Sequence, residues 1–160
     1  MSEQVLAVHR ATTAAELERV HRLRLEVFVR EQGVPLAEEL DDRDHETGAV
    51  HLLAVADGQD LGTARLLVEG PGRVHLTRVA VRARARGRGV GRKLMVAAEQ
   101  IAASEYATDG VVRVELSAQA GALGFYRALG YRIGIERYYD AGILHADAVK
   151  TLHTGPAGGC

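Results

Sequence analysis

Cysteine is almost missing from this chain: one residue in 160, Cys160, at the far end. No intrachain disulfide can form. A thiol behind TGPAGG also lacks the fixed setting that nucleophilic catalysis needs, so cysteine chemistry is excluded and a cytoplasmic location is expected. Tryptophan is absent, and the aromatic residues are five tyrosines and two phenylalanines, too few to interleave with cations as a stacking platform for nucleic acid. Neither sign of charge dominates, with 20 Lys+Arg against 21 Asp+Glu and a net charge of −1. The broad basic field of a nucleic-acid binder is therefore missing, and no nucleic-acid partner is expected. No apolar run approaches the ~20 residues of a membrane span, and MSEQVLAVHR lacks the charged start and apolar stretch of a signal peptide, so no membrane association is expected. The seven histidines are scattered without an H-x-x-x-H pair. EELDDRD (38–44) lacks the glycine and closing glutamate of a calcium loop, so no metal is expected.

What is present is an ordinary globular composition, 47% apolar and 26% charged, at a length suited to one core. One domain is expected over 1–152, with a loose tail over 153–160. VLAVH (5–9) reads as a first strand. TTAAE opens a helix with a capping box, Thr13 as N-cap and Glu16 three residues on. Its apolar face runs Leu17, Val20, Leu23, Val27, and Gly33 and Pro35 stop it. One helical turn is expected near 36–40 inside a long acidic loop, 35–48. Three strands follow at 51–57, 61–69 and 73–81, joined by DGQD and GPG. A helix from Val90 to about Thr108, with Gly110 as C-cap, crosses over to a parallel strand at 111–118. A short helix in AGALGFYRAL comes next, then a hairpin of YRIGIERYY and ILHADAVKTL around DAG.

The densest local signal is RARGRGVGRKLM (84–95). Helix N-termini carry unpaired N–H groups at the positive end of the macrodipole. A strand-loop-helix junction cleared by Gly87, Gly89 and Gly91 and charged by Arg84, Arg86, Arg88, Arg92 and Lys93 therefore suits a diphosphate. The pattern is neither a G-x-x-x-x-G-K-[ST] loop nor a complete G-x-G-x-x-G fingerprint.

Arg86-x-x-Gly89-x-Gly91 resembles the pyrophosphate motif of the GNAT N-acetyltransferase superfamily, and the chain is most similar to its ElaA-like group. VFVREQGVP (27–35), EELDDRD (38–44), TRVAV (77–81), FYRALGY (125–131) and GILH (142–145) carry the likeness, which departs from the group at Leu36, Leu144 and Ala148. The resemblance implies an α+β GNAT fold: a mixed, mostly antiparallel central sheet of about seven strands with helices on both faces. It implies transfer of acetyl from acetyl-CoA to a primary amine of a small molecule or peptide by direct attack. Cofactor contacts would come from Val79, Ala80, Val81, Arg86, Gly87, Arg88, Gly89, Val90, Gly91, Arg92, Gln119 and Tyr126, the last also serving as acid toward the departing thiolate. Phe28, Gln32, Arg78 and His145 would line the acceptor side, and a homodimer through the late strands or a sheet edge is compatible with the family.

A protonated amine needs a base or a water path. Glu31 is the first candidate, His75 and Glu115 are others, and His145 belongs to the matching GILH. The acids at 38–44 would form a negative rim that favours a cationic acceptor, or a solvated face. The rival readings are a non-catalytic acyl-CoA-binding domain and, with less support, a nucleic-acid binder using 82–93.

Overall fold

The computed structural model describes residues 5–154. The strands are β1 (Ala7–Ala11), β2 (Val50–Ala56), β3 (Gln59–Gly70), β4 (Arg73–Val81), β5 (Val111–Gln119), β6 (Arg132–Ile133), β7 (Tyr138–Asp140) and β8 (Ile143–His153). The helices are α1 (Ala14–Arg24), α2 (Leu36–Glu39), α3 (Val90–Glu105) and α4 (Leu123–Ala128). One sheet runs β1-β2-β3-β4-β5-β8-β6, with β7 also on β8. Its pairings are antiparallel for β1–β2, β2–β3, β5–β8, β6–β8 and β7–β8, and parallel for β4–β5. The expected mixed α+β sheet is thus present, with one strand more than anticipated, because Gly134–Arg137 breaks YRIGIERYY into β6 and β7. None of the described helices is long and apolar enough to cross a membrane.

The chain divides into two compact units: the residues up to Leu66 with Arg78–Ala98, and Leu67–Thr77 with the residues from Glu99 on. In the first, Thr13 caps α1 through the full capping box expected from TTAAE. The helix then continues as a π-type segment, Leu25–Glu31. Gly33, at φ 75, closes it. Val34 N–H donates to Phe28 O and Gly33 N–H to Val29 O, so both amides past the segment's end are bonded to its own carbonyls. Val20 and Leu23 pack with Ala11 and Leu53.

The acidic loop is pinned in this unit by charges buried beneath it. Arg24, on α1, is 0% exposed. It donates from Nε to Glu39 at 2.6 Å and from Nη1 to Asp44 at 2.7 Å. Arg65, on β3, reaches Asp44 at 2.8 Å and Asp41 at 2.7 Å. Arg78 donates to the carbonyls of Glu38 and Glu39 and to Asp41. His51, paired in register with Arg65, donates from Nε2 to Asp44 O at 3.0 Å, since a carbonyl offers no proton. The expected open negative rim is therefore not what these acids form. Glu39 and Asp44 are 2% and 6% exposed and neutralised by arginines, leaving Glu38 and Asp42 exposed.

In the second unit β5 alternates. Val112, Val114, Leu116 and Ala118 are buried, while Arg113, Glu115, Ser117 and Gln119 take the other face. Lys150 on β8 donates to Glu99 and to Leu129 O, and the Tyr131 hydroxyl donates to the same Glu99 carboxylate, tying α3, β8 and the end of α4 together. Gly110 does not cap α3, which ends at Glu105. With Asp109 at φ 52 and Gly110 at φ 75 it turns the chain into β5, closed by the Thr108–Val111 bridge. Ala141 and Gly142, at φ 50 and 77, make the two-residue turn between β7 and β8. β8 extends through His153, so the expected tail start at 153 falls inside a strand; 155–160 lie outside the described residues.

Burial alone would raise the Asp44 carboxyl, but the hydrogen bonds and charges of Arg24 and Arg65 override it and hold the group at about 2. A depressed carboxyl contributes stability above its unfolded value, near pH ~4, and loses it as the pH falls through its folded value. The contribution, about 2 kcal/mol, should disappear between pH 4 and 2. Asp44→Asn is expected to cost about 3 kcal/mol in urea unfolding at pH 7, since it leaves two buried guanidinium groups short of a charge. It should also flatten the acid limb of stability over that interval. An unchanged midpoint would refute the anchoring role.

Candidate active site

The glycine-arginine turn lies wholly in the first unit. Val81 ends β4, a single turn covers Ala83–Ala85, and α3 starts at Val90. Gly87 and Gly89 sit at φ 81 and 79, where a side chain is strained, and added Cβ atoms would meet nothing within 4 Å. The space above the loop is open. Lys93 N–H donates to Gly89 O in the first helical bond, so the amides of Val90, Gly91 and Arg92 have no partner within the helix. Val90 itself is buried at 2% and seats the helix start.

The cations around the loop are not equivalent, as the run of arginines suggests. Arg82 forks onto Glu26 at 2.8 and 2.9 Å, Arg84 reaches Gln59 and Lys93 donates to Leu6 O. Arg86 donates from Nε to Val81 O at 3.0 Å and from both terminal nitrogens to Glu31, at 2.5 and 2.8 Å. Arg88 and Arg92 are exposed and have no partner among the described residues. Of the five cations expected at the loop, Arg86 is neutralised by a carboxylate, Arg84 and Lys93 are bonded to uncharged oxygens, and Arg88 and Arg92 are unpartnered among the described residues.

Two of the expected site residues have partners here. The Arg86 hydrogen bonds and charge hold Glu31 below the usual carboxylate range, which weakens it as a base. The Val81 carbonyl, expected to face a cofactor, accepts from Arg86 and keeps a second lone pair. Val79 is half-buried and Ala80 is 2% exposed. Arg78 takes φ 54 within β4, a local break in the strand of the kind bulges make beside binding sites. Its guanidinium is engaged by the acidic loop. Phe28 lies in the π-type segment and Gln32 just after it, both half-buried.

The second unit carries the other candidates. Tyr126 is 9% exposed, edge-on to Phe125 and Tyr131 with centroids 5.0 and 5.9 Å away. Burial pushes its phenol up to about 12. Its hydroxyl makes no hydrogen bond among the described residues, and it is not one of the buried unpartnered atoms, which are His51 Nδ1, Arg65 Nε and Arg78 Nε. Solvent therefore reaches it. Glu115 is committed to Arg73 at 2.9 Å and lies 3.6 Å from Arg113. His75, opposite Glu115 in register, has Nδ1 3.7 Å from Glu69. Both expected bases thus face charged partners. Gln119 pairs in register with His145, which is 8% exposed. Sequence reasoning passed over Tyr138, Ser117 and Asp147, whose side chains join beside His145. Period-two alternation along β5 and β8 was the signal that could have placed them on one face.

The family model for the acetyltransferase (GNAT) family matches residues 17–131. The chain belongs to the GNAT family. An acyl-CoA N-acyltransferase of Pseudomonas aeruginosa is 34% identical, with a TM-score of 0.78 over 92% of this chain and 99% of that one. Escherichia coli ElaA is 25% identical, with a TM-score of 0.80 over 92% and 99%. YjcF of Bacillus subtilis, described as an uncharacterized N-acetyltransferase, is 34% identical over 88% of this chain and 96% of its own. As a GNAT protein the chain is an acyltransferase, and its fold is the one that the ElaA-like resemblance implies.

One glycine seats this GNAT loop from below. A Cβ on Gly62 in β3 would stand 2.9 Å from Ala80 O, 3.0 Å from Leu94 Cδ1 and 3.1 Å from Val90 Cγ1. Gly62→Ala is therefore expected to overpack the seat of α3 by about 2 kcal/mol and to lower the melting temperature by about 4–8 °C. A melt unchanged from wild type would show that the helix start is not set by this contact.

Proposed function

We propose that this protein transfers an acetyl group from acetyl-CoA to a primary amine of a small molecule or peptide. The observation that carries the reading is the open glycine loop at the head of α3, with three free helix amides and the unpaired Arg88 and Arg92 beside it. These groups fit a diphosphate: main-chain N–H groups and guanidinium groups both favour phosphate oxygens. Arg86 serves the loop differently, by fastening it to Glu31 and Val81. Bound acetyl-CoA supplies an activated thioester carbonyl. Val79 and its neighbours offer strand main chain to the amides of the cofactor arm, in the manner of an added strand.

Tyr126 is the leaving-group residue in this reading. A thiol titrates near ~8.5, and the Tyr126 phenol is pushed up to about 12. Moving its proton fully onto a thiolate would run uphill by about 5 kcal/mol. The hydroxyl therefore acts by donating a hydrogen bond to the sulfur anion as charge develops, not by giving up the proton.

Titration calorimetry with acetyl-CoA tests the loop. Wild type should bind, and Gly89→Glu should not, because it fills the cradle and repels phosphate; retained affinity would end the reading. A free-thiol assay across polyamines, amino acids, aminoglycosides, arylamines and peptides tests turnover. Thiol release that depends on an added amine is the enzyme's signature, and binding without it would mark a non-catalytic acyl-CoA domain. Tyr126→Phe should lower kcat about 100-fold while acetyl-CoA affinity stays within about twofold of wild type. Unchanged turnover would remove Tyr126 from the chemistry.

A further inference from the structure

We infer that His145 is the group that takes the acceptor's proton, at Nε2, and that Tyr138 is the positioning residue that holds its ring; this rests on the acetyl transfer proposed above. His145 lies on β8, directly across from Gln119 of β5 on one side and from Tyr138 of β7 on the other. Its Nδ1 lies 2.7 Å from Ile143 O. A carbonyl accepts and never donates, so Nδ1 carries the proton of the neutral ring and the lone pair is on Nε2. That nitrogen has no hydrogen-bond partner among the described residues and is not among the buried unpartnered atoms. It is an unpartnered acceptor, not wholly buried, on a residue that is 8% exposed.

His51 supplies the contrast. Its tautomer is also fixed by a carbonyl, Asp44 O, but the remaining nitrogen is buried and unpartnered, so a proton has no route to it. The other base candidates are held by charge: Glu31 by Arg86, Glu115 by Arg73, and His75 faces Glu69.

The ring of His145 is held in place by a second layer. Tyr138 stacks on it with centroids 6.0 Å apart and planes 16° from parallel. The Tyr138 hydroxyl donates to Asp147 at 2.6 Å and contacts the Ser117 hydroxyl, and Ser117 and Asp147 face one another across β5 and β8. The titratable and charged groups on this face are Tyr138 and Asp140 from β7, Asp147 from β8, Arg113 and Glu115 from β5, Arg73 and His75 from β4 and Arg132 from β6. As the amine nitrogen bonds to the acyl carbon and the carbon–sulfur bond breaks with its pair on sulfur, the N–H proton passes to Nε2. The imidazolium then returns that proton to solvent and the thiolate is neutralised from solvent, which balances amine plus thioester against amide plus thiol.

Two measurements test the assignment. Long-range 1H–15N correlation of the ligand-free protein should show His145 as the Nδ1–H tautomer; the opposite tautomer would overturn the assignment. With acetyl-CoA and the fastest amine of the thiol-release panel, His145→Gln should lower kcat about 100-fold, remove the acidic limb of the pH profile and leave acetyl-CoA affinity unchanged. Tyr138→Phe keeps the stack but loses both hydroxyl contacts. It should lower kcat about threefold to tenfold, with melting temperature near wild type, and shift the acidic limb. An intact acidic limb in His145→Gln, or in Tyr138→Phe if the first variant does not fold, would overturn the proposal. Wild type that binds acetyl-CoA but releases no thiol with any amine would overturn the acetyl transfer itself, and the role of His145 with it.

Discussion

The structure of the first unit depends on one buried guanidinium. Arg24 has no solvent to fall back on, so its charge must be matched by Glu39 and Asp44, and this requirement draws the whole segment from 36 to 45 down over α1 and the strands. Arg65 and Arg78 extend the match to Asp41. An ion pair of this kind adds little stability compared with apolar packing of the same volume, yet removing one member leaves a naked charge. What the network provides is a single position for a segment whose own structure is two short helical turns, Leu36–Glu39 and Asp42–His45.

That loop begins where the π-type segment ends, and the segment's last residue, Glu31, reaches Arg86. These two electrostatic tethers differ in exposure. The buried one fixes the acidic loop, and the half-exposed one fixes the head of the glycine turn. The run of arginines is divided: Arg82 and Arg86 are held by carboxylates and Arg84 by Gln59, while Arg88 and Arg92 have no partner among the described residues.

Much of this was legible in the sequence and some was not. The capping box at Thr13, the stop at Gly33, the strand 73–81, the start of α3 at Val90 and the glycines of the turn are local signals, each set by residues within a few positions of one another. The partners of the acids were not legible, because Arg24 sits in mid-helix and Arg65 in mid-strand, where a charge ordinarily points to water. Glu31 looked like a base for the same reason: its tie to Arg86 spans 55 residues of chain. Gly110 looked like a helix cap because no glycine or proline between Glu105 and Asp109 marks the end of α3, and the break between β6 and β7 is hidden within a run of strand-forming residues.

Gly62 has a consequence of a different kind. Its missing side chain is occupied space: the carbonyl of residue 80 and the tips of residues 90 and 94 fill the volume that a methyl group would need. Smaller side chains at 90 and 94 would relieve two of these contacts but not the one with the main-chain oxygen of residue 80, which every residue type carries. Among descendants of this sequence position 62 should therefore stay glycine whatever happens at 90 and 94.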